Sequence, residues 1–367
     1  MSRYNDTQSE PIASGNLQQV SFSKSVSRPQ VSERMKPLFP QCTIEAKDSP
    51  VVIPGPYTQR GIAAVAKLLE PYRTPRGFFE YSTEEIRQHC LQYGTADLST
   101  DWRLADKTKI SSDGRCAFYA YYNMRIHAAE LGHFFQTYRS ILEQTVCRQQ
   151  PPLIIDLGCG PSTALFAFLE NTTITPTHDK SFKYIGFDRV SGMHDVRQIM
   201  WQSSKVSVSV ECLRGADWQD LNQRKGVYEH IKKLPQDTPV IIIASYLFAS
   251  KSLDAAGLAE FLEGITAAAE GRHVCFIETN SLTIPIKDKF LQVIERSPSL
   301  QALFGGSTFF TYFPNDQSYA NYIAACEQDK YNTDRHFESE PPYAREQTFR
   351  YMVLGNQALI ETMRASY

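Results

Sequence analysis

Several signatures are missing from this chain of 367 residues. No two of its eight cysteines (42, 90, 116, 147, 159, 212, 275 and 326) form a C-x-x-C pair. That spacing argues against a thiolate zinc site or a disulfide framework and favours reduced thiols, as in the cytoplasm. No His/Asp cluster shows metal spacing, so no metal is expected. No apolar run reaches the roughly 18–20 residues a membrane helix needs, so no membrane association is expected. The opening Met1-Ser2-Arg3-Tyr4-Asn5-Asp6 is polar, and no secretory signal is expected. Charge of one sign is not in excess: 38 basic residues face 40 acidic ones, a net of −2, which leaves no global field to recruit nucleic acid. There is no internal repeat, and no low-complexity run beyond the first 40 residues.

What is present falls into three parts. Residues 1–40 are rich in Ser, Gln, Asn and Pro without hydrophobic periodicity, and are expected to be disordered. Lys24, Arg28, Arg34 and Lys36 make this tail mildly basic, which suits a solvated tail better than a nucleic-acid arm. Residues 41–150 read as a helical extension or cap. A short helix is expected over Gln59–Glu70, stopped by Pro71, and another opening at Ser82-Thr83-Glu84-Glu85. A long helix is expected from about Arg115, because Phe118, Tyr121, Met124, Ala128, Leu131, Phe135, Tyr138 and Leu142 recur at intervals of three or four. Tyr119, Tyr122 and Arg125 lie off that stripe and either line a pocket for substrate or cofactor or cover the surface.

From 151 to 367, strands alternate with helices, which predicts an α/β fold with helices on both faces of a mostly parallel sheet. Leu153-Ile154-Ile155-Asp156-Leu157-Gly158-Cys159-Gly160-Pro161-Ser162-Thr163 reads as a buried strand, a glycine turn and a helix start, with Ser162 and Thr163 as caps. An aspartate two residues before the first glycine would repel a pyrophosphate and attract a cationic ligand. The dinucleotide fingerprint also lacks its third glycine, where Thr163 stands.

A second strand, Phe182–Asp188, ends in a carboxylate able to accept both hydroxyls of a ribose. The competing reading of Asp188 is a turn or helix cap, although Ser191 offers a cap of its own. A third strand is expected over Lys205–Cys212, leading to Asp217 and Trp218. The fourth, Pro239–Ala244, delivers Ser245 and Tyr246 to the ligand edge, and the fifth, His273–Ile277, delivers Glu278. Ser245, Tyr246 and Glu278 are the candidate catalytic groups; Glu278 reads equally as a base and as a surface charge. A helix at about 285–296 follows, then strands at 307–313 and 347–354, separated by a 314–346 insertion of lid or binding-loop type.

D-x-G-x-G at Asp156, Gly158 and Gly160, with acidic strand ends at Asp188 and Asp217, resembles the class I S-adenosylmethionine-dependent methyltransferases over about residues 150–357. Ser162 stands at that family's usual third glycine. The resemblance implies a Rossmann-like, seven-stranded doubly wound sheet whose last strand is antiparallel, and S-adenosyl-L-methionine as cofactor. It implies that Asp156, Gly158, Cys159 and Gly160 hold the methionine part, Asp188 the ribose, and Asp217 with Trp218 the adenine. Trp218 reads also as ordinary core. Asn-Pro-Pro-Tyr, found after the fourth strand in many enzymes that methylate base amines, is replaced by Ala244-Ser245-Tyr246-Leu247.

The expected activity is N- or O-methylation of a small molecule or a protein side chain; duplex nucleic acid is not expected. Three other readings stay open. One is an inactive cofactor-binding scaffold. Another is an RNA methyltransferase related to ribosome assembly, which the Ala-Ser-Tyr step faintly resembles. The last is a nicotinamide-dependent dehydrogenase. Oligomeric state is not legible.

Overall fold

The apolar runs become neighbouring strands of one sheet. The computed structural model describes residues 33–43, 54–72, 110–148, 150–174, 182–206, 217–250, 252–280, 284–311 and 346–367. The strands among them are β1 (Leu153–Leu157), β2 (Lys183–Phe187), β3 (Val240–Ser245), β4 (Val274–Asn280), β5 (Gln301–Thr311) and β6 (Glu346–Gly355). Their order is β2-β1-β3-β4-β6-β5. β1 pairs in parallel with β2 and β3, and β3 with β4; β6 runs antiparallel to both β4 and β5. The order reverses at β1, where one crossover leads to β2 and the next passes to β3. In such sheets this is where a crevice opens beyond the carboxyl ends of the strands.

Both faces of the sheet are covered, which is why β1 and β3 are apolar but for Asp156 and the terminal Ser245, rather than alternating. Ile154, Ile241, Ile243 and Ile277 face one core with Leu131, Phe135, Leu165 and Phe168. Leu153, Ile155, Ile242 and Phe276 face the other, with Val227, Leu258, Phe261 and Phe290. The helices supplying these side chains are α2 (Ser112–Thr137), α3 (Thr163–Asn171), α5 (Leu221–Lys232), α6 (Ala255–Ala268) and α7 (Ile284–Glu295). Helices α1 (Pro56–Leu68) and α4 (Ser191–Ser204) join the first half of α2 in a third cluster around Phe118, Tyr121, Val65 and Met200. The C-terminal α8 (Gln357–Ser366) buries Leu359, Ile360 and Met363 on the α2 side of the sheet. All eight residues of the apolar stripe are buried, and α2 thereby crosses from the α1–α4 cluster onto the sheet.

Several expectations are corrected. Six strands are described, not seven: of the third strand expected over 205–212, only Lys205 and Val206 lie among the described residues. Lys205 is the left-handed C-cap of α4, with φ of 54°. Ser162 takes the N-cap position of α3 but does not cap it. The tight turn puts Ser162 at φ 67°, and its hydroxyl instead accepts from Trp201 Nε1 at 3.4 Å. α2 starts at Ser112 rather than near Arg115, because the Ser111 hydroxyl accepts the Gly114 N–H.

β4 extends to Asn280, past the expected end at Ile277, because β6 pairs alongside Glu278, Thr279 and Asn280. Of the expected tail 1–40, residues 33–40 are ordered: Phe39 is buried, Leu38 packs beside it, and both donate their N–H groups to β5. Residues 1–32, the helix expected from Ser82 and most of the 314–346 insertion lie outside the described residues. Among the described residues no helix is long and apolar enough to cross a membrane.

Candidate functional site

A crevice of about 360 Å³ opens at the carboxyl ends of β1, β2 and β3 and is walled on one side by α2. Gly158, Gly160, Asp188, Asp217, Trp218, Ser245, Tyr246 and Tyr119 all line it. Eight candidate residues chosen on separate segments thus meet in one cavity. Its size is within the range usual for small-molecule sites.

The glycine turn sets the floor. Gly158 and Gly160 have φ of 70° and 51°, a region that residues with a Cβ rarely enter. The turn's amides are already satisfied. Gly158 N–H and Cys159 N–H donate to Phe187 O at 2.8 and 2.9 Å, and Gly160 N–H donates to Asp188 Oδ2 at 2.9 Å. A pyrophosphate cradle needs such N–H groups to point at the ligand; here they tie the turn to the tip of β2.

Asp188 holds both that tie and the entry to α4. Its Oδ1 accepts the Val190 N–H at 2.9 Å, so it is the aspartate, not Ser191, that orders the α4 entry; Ser191 is already helical, with Val190 at the N-cap. The turn reading of Asp188 therefore holds, and it is compatible with ligand binding. Each carboxylate oxygen has two acceptor directions and the backbone uses one of each, leaving one per oxygen for a diol. Burial raises this carboxyl above the ordinary aspartate range, while the two N–H groups, Arg197 and Arg189 oppose the shift. Asp217 reaches the same crevice, with its Oδ1 accepting Gln219 N–H at 2.9 Å. Trp218 packs in the core with Val227, as one reading of the sequence had it, and also lines the crevice.

Asp156 and Cys159 do not line the main crevice but a small annexe of about 20 Å³, shared with Tyr119, Asn123, His127 and Ser245. Asp156 accepts the Tyr184 hydroxyl at 2.8 Å. Burial pushes its carboxyl up to about 7; the Tyr184 bond and Arg197 pull it down, and Asp188 adds to the rise. Cys159 Sγ accepts Arg197 Nη1–H at 2.7 Å.

The α2 wall carries Tyr119, Asn123 and His127, one turn apart, followed by the buried Glu130. Burial, with Asp188 and Glu130 nearby, pushes the Tyr119 hydroxyl up to about 12, so it stays a donor. Burial lowers His127 to about 4, so its ring is neutral at neutral pH. Tyr246 stands opposite: its hydroxyl donates to Glu130 Oε1 at 3.0 Å, and its ring centroid is 4.1 Å from that of His127. Ser245 Oγ accepts from Thr279 Oγ1 at 3.1 Å. Tyr122 and Arg125 belong to α2, but their side chains lie outside the described residues.

Glu278 is not brought to the crevice. It is 0% exposed within β4 and pairs with Arg350 of β6 at 2.7 Å. Burial pushes it up to about 7 against the pull of Arg350. Asn123, His127 and Glu130 were not singled out from the sequence. Their signal was a second, polar row on the same helix: Asn123 and His127 follow Tyr119 at intervals of four, and Glu130 comes three after His127. Among the described residues no group of three or more His, Cys, Asp or Glu is placed to hold a metal ion.

No protein-family model and no curated protein matches the sequence. Solved structures similar to it include the mitomycin 7-O-methyltransferase MmcR, at 12% identity, TM-score 0.35, 74% of this chain and 66% of that one. A precorrin-6y C5,15-methyltransferase from Geobacter metallireducens GS-15 is similar at 10% identity, TM-score 0.33, 62% of this chain and 89% of that one. The plantazolicin methyltransferase BpumL, in complex with SAH, is similar at 12% identity, TM-score 0.31, 75% of this chain and 98% of that one. At these values the likeness carries nothing about activity, and the chemistry of the crevice is read from its own residues.

Proposed function

We propose that the crevice binds S-adenosyl-L-methionine and that the protein transfers a methyl group to a nitrogen or oxygen of a small molecule or a protein side chain. One observation carries this reading. Carboxylates from Asp188 and Asp217 meet Trp218 around a glycine turn whose own amides are committed internally. Such a site favours a nucleoside with a positive charge and no phosphate over a dinucleotide, which needs those amides free. Asp188 would take the ribose hydroxyls on its remaining lone pairs, and Asp217 the adenine amino group, with Trp218 beside the ring. Gly158 and Gly160 let the chain approach the methionine portion. Asp156, in the annexe, would serve as a counter-charge to its ammonium group.

When bound, the cofactor supplies a methyl group already activated by a sulfonium. The protein then has mainly to orient the acceptor and exclude water. Tyr246 and Ser245 at the end of β3, with Tyr119, Asn123 and His127 of α2, form the wall where an acceptor would lie. Calorimetry with S-adenosylhomocysteine tests the reading. Wild type is expected to bind it, and Asp188→Ala to lose affinity by at least about tenfold with an unchanged far-UV spectrum. Equal affinity in the variant would remove the ribose assignment. Binding of NADH in place of S-adenosylhomocysteine would overturn the cofactor.

A further inference from the structure

Tyr246 is held far more firmly than a lining residue requires. Its backbone sits in the left-handed region, φ 58°, which a bulky side chain occupies only under strain. Its N–H is anchored to Thr279 O at 2.8 Å, and its hydroxyl to Glu130 Oε1 at 3.0 Å. Its ring is packed against His127. The other end of that hydroxyl bond is equally unusual. Glu130 is 1% exposed on a stretch of α2 whose neighbours Ala129, Leu131 and Phe134 are core residues. Burying a carboxylate there is costly, and packing alone would be served by an apolar side chain. Glu130 lines neither the crevice nor its annexe. It is linked to the crevice through Tyr246, a lining residue whose hydroxyl donates to it.

We propose that Glu130 is the positioning residue and proton sink for the acceptor, acting through Tyr246; this rests on the methyl-transfer reading above. Tyr246 Oη receives the N–H or O–H proton of the acceptor as the hydroxyl proton of Tyr246 passes to Glu130 Oε1. The acceptor's lone pair forms the bond to the methyl carbon, and the carbon–sulfur bond it replaces leaves its electron pair on sulfur. The sulfonium charge and the Glu130 charge disappear together, so the step balances without another reactant. The arrangement also selects the acceptor class. An alcohol, phenol or amine arrives with a proton to give up. A carboxylate brings none and is repelled by Glu130.

The test uses the full-length protein, S-adenosylmethionine labelled in its methyl group, and a cell extract as the source of acceptors. Glu130→Gln keeps a carbonyl oxygen for the Tyr246 hydroxyl but cannot take up the proton. It is expected to slow transfer by about 100-fold or more, within the range for a lost acid–base group, with S-adenosylhomocysteine affinity unchanged. Glu130→Asp is expected to restore part of the rate. Because the two residues act as one unit, Glu130→Gln combined with Tyr246→Phe is expected to be no slower than either single variant.

A second readout is independent of turnover. The near-UV band assigned to Tyr246 by subtracting the Tyr246→Phe spectrum is expected to shift to shorter wavelength when Glu130 is Gln, because the hydroxyl loses its anionic acceptor. Transfer by Glu130→Gln at the wild-type rate, or an unmoved Tyr246 band, overturns the relay alone. A wild type that binds S-adenosylhomocysteine but labels nothing also overturns the relay and leaves the cofactor site standing. A wild type that fails to bind it overturns the reading underneath.

Discussion

Asp156 carries the sharpest contrast between residue type and surroundings. Its carboxyl is buried beside Tyr184 and pushed up to about 7, so at neutral pH a large fraction is protonated in the ligand-free protein. A cationic ligand in the crevice favours the ionised form, and binding should therefore expel a proton. At pH 6.5, calorimetry with S-adenosylhomocysteine in two buffers of different ionisation enthalpy is expected to report proton release in wild type and none in Asp156→Asn. Identical enthalpies in the two buffers would show that Asp156 does not sense the ligand. Glu278 illustrates the opposite lesson. A glutamate beyond the expected end of a strand reads equally as a base and as a surface charge, yet here it is buried, enclosed by β6 and paired with Arg350. Its partner lies 72 residues away, and nothing local announces it.

At the scale of elements, α2 does two jobs with two rows of side chains. The apolar row fixes it to the sheet and to α1 and α4; the polar row Tyr119, Asn123, His127 forms the crevice wall. Its start is set by Ser111, whose hydroxyl accepts the Gly114 N–H at 3.1 Å and also bonds the Tyr72 hydroxyl at 2.9 Å. Ser111→Ala should cost about 1 kcal/mol, the usual value of an N-cap. Urea denaturation is expected to show this, with S-adenosylhomocysteine affinity retained because the cap lies two turns before Tyr119. A loss well above about 2 kcal/mol would mean that the Tyr72 contact, rather than the cap, carries the site. The periodicity of α2 was legible because packing imposes it on the sequence directly. The function of its polar row was not, since polar residues on a helix usually face water.

At the scale of the molecule, buried titratable groups push stability in opposite directions. His127 and His133 are both lowered to about 4 by burial. Their contribution is full above the unfolded value of about 6.5 and is lost as pH falls through about 4. Asp156 and Glu278 are both raised to about 7. Their contribution is full below the unfolded range near pH 4 and is lost as pH rises through about 7. Between pH 4.5 and 6 the two pairs oppose one another. Relative to wild type, His127→Gln should therefore lose stability as pH rises across that window, and Asp156→Asn should gain it. Each change in slope is expected to be up to about 1.4 kcal/mol per pH unit. Urea midpoints measured at several pH values check the signs; parallel curves for all three proteins would contradict them.

The features legible in the chain are those that short-range physics writes into neighbouring residues. Val240–Ile243 is apolar because a central parallel strand is covered on both faces, and Gly158 and Gly160 stand where the backbone turns left-handed. The stripe from Phe118 to Leu142 repeats because a helix surface does. Tertiary structure alone decided which of these meet. It placed Glu130 behind Tyr246, although 116 positions separate them, and it drew Glu278 away from the crevice. It also gave Asp188 the task of holding both the glycine turn and α4. Hydrogen bonds and ion pairs between distant segments depend on how the sheet is ordered and how helices lie across it. That order is fixed by burial of the whole core rather than by any one stretch of residues.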